Sequence, residues 1–341
     1  MHRRVAFGVG FTAVLFFFVQ LGALALVPTF YEQGYQTVED PTNPTNSLVY
    51  IGAILVATAV MLAAFKYELQ WLVKAFVTLA AGSLAWYVFS VFFSPLLAVI
   101  PAVGLAVLLI VYPEWYVIDA AGVLMGAGAA GLFGISFGLL PALVLLSILA
   151  IYDAISVYGT EHMLDLAAGV MDLNLPVVLV VPTTLSYSLR EDTPPVTTDD
   201  TTTDGSSSDT ETREHTADES AERGVDTTNS ADETSTEEQH VRDAFFIGLG
   251  DAVMPTVLVA SAAFFLPTEL TPSLGISGIP ALTLPALTAM IGTFIGLFIL
   301  MWLVTKDRAH AGLPLLNGGA IGGYLIGALL SGVPFIRALG L

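Results

Sequence analysis

Long apolar runs alternate with short polar breaks along the 341 residues of the chain. A helix crossing the hydrocarbon core of a bilayer needs about 20 mostly apolar residues. Nine segments meet that requirement: 5–27, 48–66, 71–93, 95–112, 117–135, 137–159, 243–265, 279–303 and 313–334. The breaks carry turn chemistry. Ser94-Pro95 divides the third span from the fourth, Tyr112-Pro113-Glu114 ends the fourth, and the stretch from Gly134 to Gly138 separates the fifth from the sixth. The pattern predicts an all-α membrane protein with nine transmembrane helices. Residues 163–184 are apolar but carry Asp165, Asp172 and two prolines. They read as an interfacial helix followed by an extended segment, not as a tenth span. The first run follows Arg3-Arg4 and contains Ala23-Leu24-Ala25, as a secretory signal would. Its apolar run is longer than the roughly 7–15 residues of a signal's core, so it reads as a span.

Composition agrees with the pattern. The chain is 55% hydrophobic, with a mean hydropathy of +0.77 and only 12% charged residues, where soluble chains carry about 25%. An ordinary soluble globule is excluded. The formal charge of −19 argues against a nucleic-acid surface. Most of it comes from residues 190–242, which hold 16 acidic and 4 basic side chains. This Thr-, Ser-, Asp- and Glu-rich stretch cannot bury enough surface to offset its ordering entropy. Three regions follow: spans one to six with the interfacial segment (1–184), a disordered acidic loop (185–242), and spans seven to nine (243–341). Acid-rich, lysine-poor segments also suit a high-salt cytoplasm, where repulsion is screened. With the N-terminus inside, the inner segments hold Arg3, Arg4, Lys66, Lys74, Arg190, Arg213, Arg223, Arg242, Lys306 and Arg308, and the outer segments hold Arg337 alone. That bias places the N-terminus and the acidic loop in the cytoplasm and the C-terminus outside.

The candidate chemistry lies within the spans. No cysteine is present, which removes disulfides, thiolate metal sites and cysteine nucleophiles. A carboxylate at mid-bilayer costs at least about 2.5–3.5 kcal/mol, yet Asp153 lies in LLSILAIYDAISVYG and Asp251 in AFFIGLGDAVMPTVLVA, with no basic residue nearby. Asp153 is about 6 residues from the inner end of the sixth span, roughly 9 Å deep, and Asp251 is 8 residues into the seventh, roughly 12 Å deep. Two carboxyls at one depth on consecutive helices are expected to meet and share a proton. One can then activate water while the other, protonated, polarises a carbonyl. Gly248 and Gly250 leave the backbone bare just before Asp251, which permits close approach of a helix or a substrate. Pro314, about 6 residues past Arg308, is expected at a similar depth in a loosened helix start.

Tyr152-Asp153, Gly248-Leu249-Gly250-Asp251 and Pro314-Leu315-Leu316, in that order and spacing, resemble the presenilin and signal peptide peptidase family of GxGD intramembrane aspartyl proteases. The long hydrophilic loop between spans six and seven is similar too. The resemblance covers nearly the whole chain in layout. It implies a nine-helix fold, Asp153 and Asp251 as catalytic dyad, and Tyr152, Gly248, Gly250, Pro314, Leu315 and Leu316 as substrate-positioning residues. It implies no cofactor and no metal. The substrates implied are transmembrane helices or signal peptides taken from the lipid bilayer. Pro314-Leu315-Leu316 stands at the family's Pro-Ala-Leu motif, with leucine in place of alanine, a change expected to narrow the substrate groove. A literal Pro285-Ala286-Leu287 falls at the outer start of span eight, on the wrong side for the dyad. The likeness is closer to an archaeal homologue acting alone than to a subunit that needs partners.

Other readings account for less. A proton-coupled transporter could use the same acid pair, but no internal repeat or second acid pair is evident between 1–160 and 243–334. A packing scaffold would explain the glycines at 122/126 and 319/323/327, but not the buried acids. His162 and Asp165 are only two ligands, too few for a metal site. No serine–histidine pair lies within a span, against a serine protease.

Overall fold

The computed structural model describes residues 2–67, 69–159, 178–182, 244–304 and 311–341. Six helices come first: α1 (His2–Glu32), α2 (Thr45–Lys66), α3 (Gln70–Phe89), α4 (Pro95–Val111), α5 (Trp115–Ser136) and α6 (Leu139–Gly159). Two short strands follow, β1 (Val178–Pro182) and β2 (Ala244–Gly248). The chain ends with α7 (Leu249–Phe265), α8 (Leu284–Val304), α9 (Leu313–Leu330) and the single turn α10 (Phe335–Ala338). Among the described residues seven helices are long and apolar enough to cross a membrane, and α4 and α7, 17 residues each, are shorter apolar helices. The molecule is a multi-pass membrane protein. Large apolar side chains such as Leu79, Leu96 and Ile100 stand on its outside, where lipid rather than water is the solvent.

The helix ends follow local chemistry. Pro95 and Pro314 sit in the first turns of α4 and α9, where a missing N–H costs no hydrogen bond. The segment between α7 and α8 turns through Gly275 and Gly278, both at positive φ, and is tied by the Leu274 N–H to the Leu282 carbonyl.

Two sequence expectations change. Span eight starts at Leu284, not near 279, because 271–283 form this bridged turn. Span seven starts at Leu249, not 243. Residues 244–248 are instead the strand β2, antiparallel to β1 from Val178↔Gly248 to Pro182↔Ala244. The depth expected for Asp251 is replaced accordingly: it stands in the first turn of α7. Span nine starts at Leu313, as expected, and Pro314 is its second residue. The extended segment expected before Thr183 is β1. The interfacial helix expected before it, His162, Asp165 and the acidic loop 185–242 lie outside the described residues.

Two buried clusters matter for the site. One, built from α6, α7, α8 and α9 around Leu146, Leu258 and Tyr324, is closed by α10, whose Ala338 carbonyl accepts the Tyr324 hydroxyl at 2.6 Å. The other joins α1 (Phe16, Val19), both strands (Leu179, Val181, Ile247), α8 (Leu297, Leu300) and Leu316 of α9. This second cluster lies under Asp251, whose neighbour Ala252 belongs to it.

Candidate active site

Three chain segments that are distant in sequence converge at one end of the bundle. Asp153, six residues before the end of α6, is 9% exposed. Its Oδ2 accepts the Leu313 N–H at 3.0 Å, and the Gly312 amide is directed at the same carboxylate. These are first-turn amides of α9, which have no intrahelical acceptor. A helix N-terminus also favours a negative group. Pro314, next in line, has no N–H to leave unsatisfied. The amides of Leu315 and Leu316 both turn back to the Gly312 carbonyl at 3.2 Å.

Asp251 comes to the same backbone from α7. A Cβ built on Gly312 would stand 3.4 Å from Asp251 Oδ2 and 3.3 Å from Leu300 Cδ2. Both carboxyls therefore lie beside the same Gly312–Leu313 backbone. Gly248 caps α7, and a Cβ there would stand 3.7 Å from Asp251 Oδ2. Gly250 faces open space, with nothing within 4 Å. Both glycines are exposed, so the backbone beside Asp251 is bare on its outer side.

The remaining expected residues divide. Pro314 and Leu315 are half-buried beside the dyad, while Leu316 is wholly buried in the cluster beneath it. Tyr152 is 45% exposed, on the outer side of α6 rather than among the residues that meet at Gly312. Pro285, Ala286 and Leu287 begin α8, and Pro285 packs against Gly327 near the far end of α9. That is away from the acids, as its place in the sequence implied.

Sequence reading missed four contributors. Gly312 and Leu313 act through backbone amides, which no side-chain motif reveals, though a Gly-Leu-Pro helix start after a polar turn signals free amides. Asn317, buried, donates from Nδ2 to the Leu146 carbonyl at 3.0 Å and clips α9 to α6 above Asp153. Asp119 of α5, 3% exposed, accepts the Val180 N–H of β1 at 2.7 Å through Oδ1. Its position near the start of a span made it look like an end residue. Among the described residues no group of three or more metal-ligating side chains occurs.

Comparison with known proteins gives the family and the fold. Residues 13–333 match the model of a family described as signal-peptide peptidase, presenilin aspartyl protease. A solved structure of a presenilin family intramembrane aspartate protease, in a C222 crystal, is 30% identical. It superposes with a TM-score of 0.60 over 94% of this chain and 99% of its own. A P2 crystal of a presenilin family intramembrane aspartate protease, also 30% identical, gives 0.58 over 93% and 96%. No curated protein matches the sequence.

Proposed function

The chain belongs to the signal-peptide peptidase and presenilin family of aspartyl proteases, and from that premise we propose that Asp153 and Asp251 are the dyad with which it hydrolyses peptide bonds inside transmembrane segments. The observation that carries the reading is the meeting of two otherwise lone acids over the N-terminus of α9. Family membership does not support the transporter alternative.

The chemistry follows from the pair. Two adjacent carboxyls hold one proton between them. The ionised one takes a proton from water as the oxygen attacks the scissile carbonyl carbon. The protonated one gives its proton to the carbonyl oxygen. The tetrahedral diol then collapses: the C–N bond breaks, the nitrogen takes a proton from the dyad, and the products leave as an acid and an amine.

Peptide hydrolysis needs an unwound substrate, and the strands offer it a partner. The Val180 amide points at Asp119, so Val180↔Phe246 is a non-hydrogen-bonded pair. The N–H and C=O of Phe246 then face away from β1. That outer edge of β2 runs directly into Asp251, and an extended segment of substrate can add to it by main-chain hydrogen bonds. The edge of β1, the other candidate, is occupied at Val180 by Asp119. Gly248, Gly250, Pro314 and Leu315 line the approach. The substrates we propose are single-pass helices or signal peptides that enter from lipid, with no obligatory partner subunit.

The test is cleavage of a reporter helix by purified protein in H₂¹⁸O. Wild type is expected to place one heavy oxygen in the new carboxyl terminus, and Asp153→Ala and Asp251→Ala to be inactive. Cleavage retained by either variant would refute the dyad.

A further inference from the structure

Asp119 is a buried acid that this chemistry does not use. It is the fifth residue of α5. One carboxyl oxygen holds the Val180 amide, and the other is buried with no hydrogen-bond partner among the described residues. An acid kept in an apolar bundle is costly unless it does something that an apolar residue cannot. Here it holds a backbone amide 61 positions away in sequence.

The surroundings show what that bond fixes. Asp119, Gly122 and Gly126 fall at i, i+3 and i+7, on one face of α5. A Cβ on Gly122 would come within 2.9 Å of Leu179 Cδ2 in β1. A Cβ on Gly126 would come within 3.2 Å of Leu249 Cδ1 and 3.3 Å of Val253 Cγ2 in α7. Leu249 and Val253 flank Asp251. One face of α5 is thus a bed both for β1 and for the first turn of the helix that carries the acid. Packing sets the distance, but apolar contacts slide easily along a strand. The hydrogen bond to Val180 is the directional contact that sets position along β1. Register passes from Val180 to Phe246 across the strand pair, and from Phe246 to Gly248, which caps α7.

We propose that Asp119 is a positioning residue: its carboxyl pins β1 to α5, fixes the register of the β1–β2 pair, and so sets which peptide bond of a strand-paired substrate meets Asp251. The proposal rests on the aspartyl protease reading above and adds to it a determinant of cleavage position outside the dyad.

Three variants and two readouts test it. Asp119→Asn keeps an acceptor oxygen and is expected to cut at the wild-type bond. Asp119→Leu keeps the bulk but loses the acceptor. Its kcat is expected to fall by about 10²-fold, the effect of a misplacement of about 1 Å, with products spread over neighbouring bonds by mass spectrometry and KM little changed. Val180→Pro removes the donor at a strand position whose N–H does not serve the ladder, and is expected to behave as Asp119→Leu. Amide hydrogen exchange at Val180 should be slow in wild type and Asp119→Asn and fast in Asp119→Leu. A merely structural role would lower the melting temperature without moving the cleavage site. Wild-type cleavage by Asp119→Leu and Val180→Pro overturns the proposal, as does an Asp119→Asn as impaired as Asp119→Leu. Should Asp119→Leu fail to fold, the other two variants decide alone. Exchange at Val180 does not depend on catalysis. A faster Val180 amide together with cleavage by Asp153→Ala would retire the dyad and keep the anchor, and an unchanged amide would retire the anchor whatever the activity.

Discussion

At the scale of single residues, the site is two acids and the backbone beside them. The acids were legible because a carboxylate in an apolar run is costly enough to need a reason. The amides of Gly312 and Leu313 were not, since a backbone donor has no letter of its own and its direction depends on where a helix begins. Gly312 is the tightest point of the arrangement. A methyl there would touch Leu300 at 3.3 Å and stand 3.4 Å from the Asp251 carboxyl, contacts that the backbone can absorb by shifts of a few tenths of an ångström. Gly312→Ala is therefore expected to fold with a melting temperature near that of wild type. Its kcat is expected to fall by about 10-fold or more, since the methyl occupies space beside the carboxyl where reacting atoms must fit. A Gly312→Ala protein as active as wild type would show that the reacting atoms do not pass there. Asp119 marks a second limit of reading by letters. It lay within a few residues of a span boundary, and only the partner strand shows that it is buried and bonded.

At the scale of elements, periodicity located the helices, because hydropathy is a property of each segment by itself. It failed at β2. Phe245, Phe246 and Ile247 continue the apolar run of span seven without a break, and such residues suit strand as well as membrane helix. What makes them a strand is pairing with Val178–Pro182, a partner more than 60 residues away that no local window contains. The glycines of α9, in contrast, were legible as a packing face, and the structure supplies the partner helix. A Cβ on Gly319 would run into the Gly292 carbonyl, and one on Gly323 into the Thr288 carbonyl, both on α8. Gly318 and Gly322 have nothing within 4 Å. Gly323→Ala should therefore destabilise the protein, by about 1–3 kcal/mol as overpacking does. It should lower activity too, because the start of α9 holds Asp153. Gly322→Ala, one residue away, should be neutral or more stable by up to about 1 kcal/mol, the helix-propensity difference. Thermal unfolding in one detergent compares the two directly. Equal effects would mean that α8 and α9 are not in close contact at Gly323.

At the scale of the whole molecule, the question is which side of the membrane the dyad faces. If helices α1 to α9 all cross in alternation, the odd count puts the two ends of the chain on opposite sides. α1, 31 residues long, would extend roughly 46 Å, longer than the hydrocarbon core of about 30 Å, so it tilts or projects and cannot be mistaken for a half-span. The dyad lies at the end of α6 and the starts of α7 and α9, on the side to which α2 delivers Lys66 and from which α3 departs with Lys74. Positive charge gathers on the cytoplasmic side, so water would reach Asp153 and Asp251 from the cytoplasm. Because the chain has no cysteine, single cysteines report on sidedness without background. Glu39→Cys, between α1 and α2, and Leu341→Cys, at the C-terminus, are expected to react with a membrane-impermeant maleimide in intact cells. Tyr67→Cys, between α2 and α3, should react only after permeabilisation. All three positions are exposed, so failure to label reports the membrane and not burial. Labelling of Tyr67→Cys alone in intact cells would invert the molecule and put the dyad outside. Labelling of Leu341→Cys together with Tyr67→Cys would require an even number of crossings, and one of the two short helices, α4 or α7, would then have to lie within the membrane without spanning it.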